Sequence, residues 1–173
     1  MVSLRPITMD DLPLYAGLLT DERTMTELGG PLPYEGLQEK LRGIVDEVER
    51  GEIWYFTILA EDADEAVGTV CVWDHAPHGE TITEIGWMVR PEFQGRGLAS
   101  AAVAEILQRA RADRRWHTIH AFPGATNGPS NAICRKNGFE RLELLEYEYA
   151  GRPMRGYHWL IRLDDDDDQA KPG

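Results

Sequence analysis

The sequence predicts a mixed α/β fold of the α+β class, with one central sheet and helices on its faces. Apolar residues recur at helical spacing over residues 37–48 and 99–110. Three short β-branched and aromatic runs lie between residues 54 and 89, separated by acidic and turn-forming residues. The helical segments and the strand-like runs together indicate one sheet packed against helices.

The first half of the chain has clear start and stop signals. Asp10 and Pro13 mark a helix start, whereas Gly29 and Gly51 follow the ends of helical patterns. The predicted elements are a strand over 2–7, helices over 10–19, 22–28 and 33–50, and strands over 54–60, 66–73 and 81–89.

The second half continues with a helix over 98–111, a strand over 117–121, a helix over 130–137 and a closing hairpin over 141–149 and 155–163. Because a crossover helix separates the strands over 81–89 and 117–121, we expect this pair to be parallel. The resulting order is β-α-α-β-β-β-α-β-α-β-β, with the helix over 22–28 as a short addition.

A glycine-rich turn, Gln94-Gly95-Arg96-Gly97-Leu98-Ala99, joins the buried strand to the helix that begins at Leu98. Glycine lets a ligand approach the backbone closely, and the first N–H groups of a helix lack intrahelical partners. The turn therefore predicts a pyrophosphate site, although a tight turn also needs glycine for packing alone.

A capped short helix with a glycine stop follows about thirty residues later, from Asn127 to Phe139. Two segments, Val89-x-Pro91-x-x-Gln94-Gly-x-Gly97-x-Ala99 and Asn127-x-x-Ser130-x-x-x-x-x-Lys136-x-Gly138-Phe139, closely resemble the acetyl-CoA site of the GNAT superfamily of N-acetyltransferases. The resemblance is most specific over residues 84–139. The run Glu84-Ile-Gly-Trp-Met-Val is similar to the branches that contain ribosomal-protein, polyamine and antibiotic acetyltransferases.

The resemblance implies acetyl-CoA as the acyl donor and no metal. Its strand before the glycine turn carries a bulge and splays from its parallel neighbour, where the backbone of Trp87, Met88 and Val89 would face the pantetheine arm. The other residues implied for the donor are Gln94, Gly95, Arg96, Gly97, Leu98, Ala99, Ser100, Asn127 and Ser130. Arg96 also suits an exposed surface position, and both Asn127 and Ser130 also suit a helix cap.

Acetyl transfer needs a neutral amine, yet an ammonium of pKa about 10.4 is neutral in only about 0.04% of molecules at pH 7. Glu84 is our leading candidate for the base, with a structural hydrogen bond as the alternative. The usual proton donor of the family is a tyrosine seven residues after the motif asparagine, and here that position is Cys134. A catalytic thiol and a buried packing role both stay open, and Tyr147 and Tyr149 are further hydroxyl candidates.

The acceptor pocket has weaker signals. The resemblance places it among residues 20–34, the end of the third predicted strand and the closing hairpin, where Glu27, Trp73 and Asp74 could hold an ammonium group. The net charge of −12 argues against nucleic acid and favours a cationic partner, although solubility alone also explains it. We expect direct transfer to a small cationic amine, a metabolite or antibiotic. The alternatives are a protein N-terminal acetyltransferase and a non-catalytic CoA-binding sensor.

Composition limits the remaining possibilities. We expect one domain over residues 1–163 and a flexible acidic tail over 164–173, which holds five of the aspartates. No apolar run approaches the roughly 20 residues that span a membrane, and the first residues do not read as a signal peptide. Two cysteines and five histidines form no disulfide framework or evident metal set. The predicted location is cytoplasmic, and a homodimer is compatible with the sequence.

Overall fold

The computed structural model describes residues 1–61, 63, 65–76, 79–149 and 151–164. Its strands are β1 Val2–Pro6, β2 Trp54–Ala60, β3 Ala66–His75, β4 Ile82–Val89, β5 Thr118–Ala121, β6 Glu140–Tyr149 and β7 Arg152–Arg162. Its helices are α1 Leu12–Thr20, α2 Glu22–Met25, α3 Leu37–Glu49, α4 Leu98–Asp113 and α5 Gly128–Lys136. The predicted α+β class and the element order are confirmed. Apart from Asp164, the predicted acidic tail lies outside the described residues.

The strands form one seven-stranded mixed sheet in the order β1-β2-β3-β4-β5-β7-β6. The β4 and β5 strands are parallel, as the crossover helix α4 predicts, and the other neighbouring pairs are antiparallel. No helix in the described part of the chain is both long and apolar enough to cross a membrane.

Two boundaries differ from the sequence prediction in ways that matter. The predicted helix over 33–50 begins only at Leu37, because Gly36 before it has a left-handed φ of 83° that no helix contains. The β3 strand continues two residues beyond the predicted end at Trp73, as far as His75. This extension places the His75 side chain on the sheet beside β4.

Each face of the sheet carries its own core. On one face, α4 and α5 bury a cluster that includes Val70, Val72, Ile85, Val103, Ile106 and Cys134. On the other face, α1 and α3 bury a second cluster that includes Tyr15, Leu19, Leu41, Val45 and Tyr55. Burying one such aliphatic side chain contributes about 1.5–3 kcal/mol, so both clusters hold the sheet in place.

The β4 strand pairs with β3 in an unbroken register, from Gly68 opposite Val89 to His75 opposite Ile82. The bulge that the resemblance implies for this strand is absent from its pairing with β3, so the side chains of Glu84 and Met88 share one face of the sheet. Among the described residues, the only register pair between β4 and β5 joins Glu84 to His120. The parallel strands thus separate beyond Glu84, toward the glycine-rich turn.

Candidate active site

The glycine-rich turn ends in a row of backbone N–H groups that precede the first hydrogen bond of α4. Gly95 and Gly97 have left-handed φ angles of 74° and 75°, and Gly97 caps α4 without a side-chain hydrogen bond. Ala101 N–H donates to Gly97 O at 3.0 Å, so the amides of residues 98–100 precede the first intrahelical bond. A Cβ atom on either glycine would meet no heavy atom within 4 Å. N–H groups without intrahelical partners, beside the open space at the two glycines, fit a phosphate group.

Side chains on both sides of the turn hold it in shape. Gln94 Nε2 donates to Val89 O at 3.0 Å, which fixes the exit of β4. The Arg96 guanidinium carbon lies 5.5 Å from the centroid of the Phe93 ring. On β4, Trp87 packs against the α4 core and Met88 against the α1 core. These contacts leave the backbone of β4 beyond Glu84 facing the gap toward β5.

The second motif forms a hydrogen-bonded link between α5 and the closing hairpin. Asn127 Oδ1 accepts from Ser130 N–H at 3.0 Å and so caps α5. The buried Asn131 donates to Gly124 O at 2.9 Å and accepts from Trp159 Nε1 at 2.9 Å. Asn127 therefore takes the capping role in this structure, and its contact with the donor stays a prediction.

Two further residues that were predicted to contact acetyl-CoA lie in the first turn of α4. Leu98 is half-buried against the α4 core, and Ser100 is buried and accepts from Asn137 Nδ2 at 3.2 Å. That hydrogen bond ties the start of α4 to the end of α5. The side chain of Ser100 thus has a structural role, while its backbone N–H is one of the three that precede the first hydrogen bond of α4.

Glu84 is half-buried and lies beside a histidine. Its side chain is 20% exposed, and burial raises its pKa to about 7. Glu84 Oε2 lies 2.8 Å from His75 Nε2, although the ring N–H does not point along the line between these atoms. Burial lowers the pKa of His75. Near neutral pH the pair can hold one proton, as a carboxylic acid beside a neutral imidazole or as an ion pair.

A second histidine contact on the same face has no counterpart in the sequence analysis. His120 Nδ1 lies 2.8 Å from His158 Nε2, and His158 Nδ1 lies 3.0 Å from Glu143 Oε1. Only the adjacency of β5 and β7 brings these side chains together. The available signal was the alternation of His120 with the buried Ile119 and Ala121.

The predicted acceptor residues separate into two groups. Glu27 Oε2 accepts from the Thr126 hydroxyl at 2.8 Å, so the segment after α2 approaches the loop after β5. Trp73 shares the face of Glu84, its register partner. Asp74 lies on the opposite face, where its carboxylate accepts from Trp116 Nε1 at 3.1 Å. The structure thus does not bring Asp74 together with Glu84.

The predicted proton donor Cys134 lies in the core between α4 and the sheet. Its side chain is fully buried, and burial raises the pKa of its thiol to about 12. Tyr147 is half-buried and donates its hydroxyl to Phe122 O at 2.9 Å. The side chain of Tyr149 lies outside the described residues. The thiol is therefore poorly placed to meet a ligand, whereas the Tyr147 hydroxyl lies beside the loop after β5.

The family model of the acetyltransferase (GNAT) domain matches residues 2–140. The chain belongs to the GNAT acetyltransferase family, and the resemblance seen in the motifs is confirmed. As a member, it is an N-acetyltransferase. It is 28% identical over 104 residues to YnaD of Bacillus subtilis, an uncharacterized N-acetyltransferase, and this match spans 60% of each chain.

Solved structures confirm the fold. The ribosomal L7/L12 α-N-protein acetyltransferase RimL in complex with coenzyme A has a TM-score of 0.79 and 19% identity, with 95% of this chain and 96% of that chain covered. The spermidine N-acetyltransferase of Vibrio cholerae in complex with CoA and spermine has a TM-score of 0.76 and 21% identity, with 94% and 95% covered. At these identities the likeness shows the fold alone.

Proposed function

We propose that this protein transfers the acetyl group of acetyl-CoA to a primary amine of a small cationic molecule, by direct attack within a ternary complex. One observation carries the proposal. The backbone N–H groups at the start of α4, called here the donor cradle because they would hold acetyl-CoA, and the half-buried Glu84 belong to one strand-turn-helix unit. Glu84 lies where β4 and β5 begin to separate, and the cradle lies at the far end of β4.

The residues present fit the donor. The amides of residues 98–100, with Gly95 and Gly97, would hold the pyrophosphate through backbone donors at a helix start. The free edge of β4 at Trp87 and Val89 would hold the pantetheine arm by main-chain hydrogen bonds. When bound, acetyl-CoA supplies the acetyl thioester, and the chain itself provides its orientation.

Glu84 is the proposed base. As a carboxylate it attracts the ammonium group, and it then accepts a proton so that the amine nitrogen gains a free lone pair. A base works best when its pKa lies near the operating pH, and burial brings the pKa of Glu84 to about 7. The imidazole of His75 lies beside the carboxylate, with Nε2 2.8 Å from Oε2, on the neighbouring strand.

We propose a proton donor other than Cys134 for the departing sulfur, because that thiol is fully buried and burial raises its pKa to about 12. We propose the hydroxyl groups of Ser130 and Tyr147 for this role. Ser130 is half-buried in the first turn of α5, and Tyr147 lies beside the loop after β5. The Ser130 hydroxyl can donate to a sulfur anion while it accepts from water, whereas the Tyr147 hydroxyl would first have to give up its hydrogen bond to Phe122 O.

Charge favours a small cationic acceptor. Glu27, Glu84 and Glu143 lie on the side of the sheet proposed for the acceptor, and the whole chain carries a net charge of −12. Opposite charge raises the local concentration of a polyamine or an aminoglycoside, and salt screens this attraction. The similar fold of a ribosomal-protein acetyltransferase supports a peptide N-terminus as the second candidate.

The experiment is release of free CoA from acetyl-CoA with spermidine, an aminoglycoside and a basic N-terminal peptide, each at two salt concentrations. We expect turnover of a small amine with a KM that rises with salt. Turnover of the peptide alone would show that the acceptor is a peptide N-terminus and not a small cationic amine. Tight acetyl-CoA binding without turnover of any amine would indicate a CoA sensor. Light scattering and fractionation of cells test the predicted homodimer and the cytoplasmic location.

A further inference from the structure

Three side chains form a hydrogen-bonded line to solvent. The line starts on the sheet face that carries Glu84 and Trp73, called here the acceptor face because we propose that the amine binds there. His120 stands beside Glu84 on β5, His158 follows on β7, and Glu143 ends the line on β6. Glu143 is 56% exposed, whereas His158 is only 14% exposed. In the described part of the chain, no set of three such residues is arranged to hold a metal ion.

Hydrogen-bonding rules fix the direction of this line. The hydrogen bond from His158 lowers the pKa of Glu143, so its carboxylate only accepts. His158 Nδ1 must then carry the hydrogen, which leaves Nε2 of a neutral His158 as an acceptor. His120 Nδ1 in turn donates to His158, and Nε2 of His120 keeps a free lone pair. The carboxylate thus selects the tautomer of a histidine two contacts away.

A hydrogen bond and an aromatic contact hold the ring of His158. The ring centroids of His120 and His158 lie 5.1 Å apart with planes at 16°, as an in-plane hydrogen bond between two ring nitrogens requires, and Phe122 stacks on His158 at 4.8 Å and 21°. Turning either ring over about its Cβ–Cγ bond would put a carbon in place of a nitrogen and break this line of hydrogen bonds.

The reaction releases one proton for each acetyl group transferred. An ammonium ion and a thioester become an amide, a thiol and one proton, and Glu84 must lose the proton it has accepted before the next turnover. We propose that His120 accepts this proton on Nε2 from Glu84, directly or through water, and releases it toward solvent. The Nδ1–H of His120 keeps its hydrogen bond to His158, so the Glu143 carboxylate stabilises the imidazolium through His158.

This proposal rests on the proposed function, since it concerns the same acceptor face. The groups that face His120 are His75 on β3, Glu84 on β4, Glu80 before β4 and His158 on β7. Burial, then His158 and His75, lower the pKa of His120, while Glu80 acts in the opposite direction, so the ring is neutral between turnovers and its imidazolium gives the proton up readily. His120 is thus a positioning and proton-accepting group that acts through Glu84.

The test uses His120→Ala with the best amine from the acceptor panel. We expect kcat to fall about tenfold or more, and to recover in proportion to added imidazole, because a mobile base replaces the missing ring. Wild-type kcat should not depend on imidazole. The matched control is His117→Gln, which removes an exposed histidine 2.7 Å from Asp164 near the start of the same strand. This control should keep wild-type kcat.

A second variant separates proton transfer from structure. Glu143→Gln keeps an acceptor for His158 Nδ1 but removes the charge, so we expect the imidazolium of His120 to lose stability and the imidazole pKa, read by 15N NMR, to fall. A kcat of His120→Ala within about twofold of wild type, or a lower kcat that imidazole does not raise, would overturn the inference alone. Absence of wild-type turnover would overturn the proposed function and this inference with it.

Discussion

Glu84 Oε2 lies 2.8 Å from His75 Nε2 across the β3–β4 pair, and burial shifts the pKa values of the two groups in opposite directions, so that their usual order is reversed. The carboxyl pKa rises from 4.5 to about 7, while that of the imidazole falls. Because burial disfavours the ionised form of Glu84, the folded protein loses stability at a pH at which the unfolded chain would ionise this group.

The first prediction concerns this loss of stability. Because the folded pKa of Glu84 exceeds the unfolded one, its contribution to stability is full below pH 4.5 and is lost as pH rises through about 7. Between pH 5.5 and 8, wild type should lose about 2 kcal/mol of unfolding free energy relative to Glu84→Gln. Urea titrations at both pH values measure this difference. The exposed control Glu105→Gln should follow wild type, and an equal pH dependence in Glu84→Gln would contradict the assigned pKa.

The second prediction tests the donor cradle. Gly97→Val places a β-branched residue at a left-handed φ of 75°, and its side chain would fill the open space beside the amides of residues 98–100. We expect acetyl-CoA affinity to fall at least about tenfold, because about 1.4 kcal/mol of lost contact gives that factor. Calorimetry measures the affinity.

Gly36→Val is the matched control, since Gly36 also caps a helix at a left-handed φ of 83° and also faces open space. Both variants carry similar backbone strain of about 1–2 kcal/mol. Only Gly97→Val should lose acetyl-CoA. Equal affinity in the two variants would place the pyrophosphate elsewhere.

The third prediction concerns the thiol at the position of the usual tyrosine. Cys134→Ala should lower the unfolding free energy by about 1 kcal/mol, because it removes a buried sulfur from the core. Its kcat should stay within about twofold of wild type, as should that of Cys71→Ala. A large loss of kcat in Cys134→Ala alone, with unchanged acetyl-CoA affinity, would show that the thiol donates the proton.

The fourth prediction concerns the buried link between α5 and β7. Asn131→Ala leaves the buried Trp159 Nε1 without its acceptor and removes one of the two donors to Gly124 O, whose other donor is the backbone N–H of Asn127, so we expect a loss of about 1–3 kcal/mol. Trp159→Phe in the Asn131→Ala background should cost less than in wild type, because the unpaired donor is already present. Additive losses in this double-mutant cycle would mean that the hydrogen bond contributes little.

Local patterns predicted the larger part of the fold, including the turn at which we propose the acetyl-CoA site. The turn at Gly95 and Gly97, the crossover helix and the parallel strands depend on neighbouring residues, and the structure has them as predicted. The face of Glu84 depended on whether β4 contains a bulge, and the unbroken pairing with β3 removes that ambiguity.

Contacts between distant strands could not be read from the sequence. His120 and His158 are 38 residues apart and meet only because β7 inserts between β5 and β6. The position of Asp74 follows from the extension of β3 to His75, which puts Trp73 and His75 on one face and Asp74 on the other. Strand order and strand ends are therefore the missing information.

The pH dependence of kcat/KM for wild type and Glu84→Gln tests the central claim most directly. For wild type we expect kcat/KM to rise with pH through an inflection near 7, where Glu84 becomes a carboxylate. For Glu84→Gln we expect a loss of about 10²–10⁴-fold at pH 8, no inflection near 7 and unchanged acetyl-CoA affinity. A variant that keeps the wild-type profile and rate would show that Glu84 is not the base.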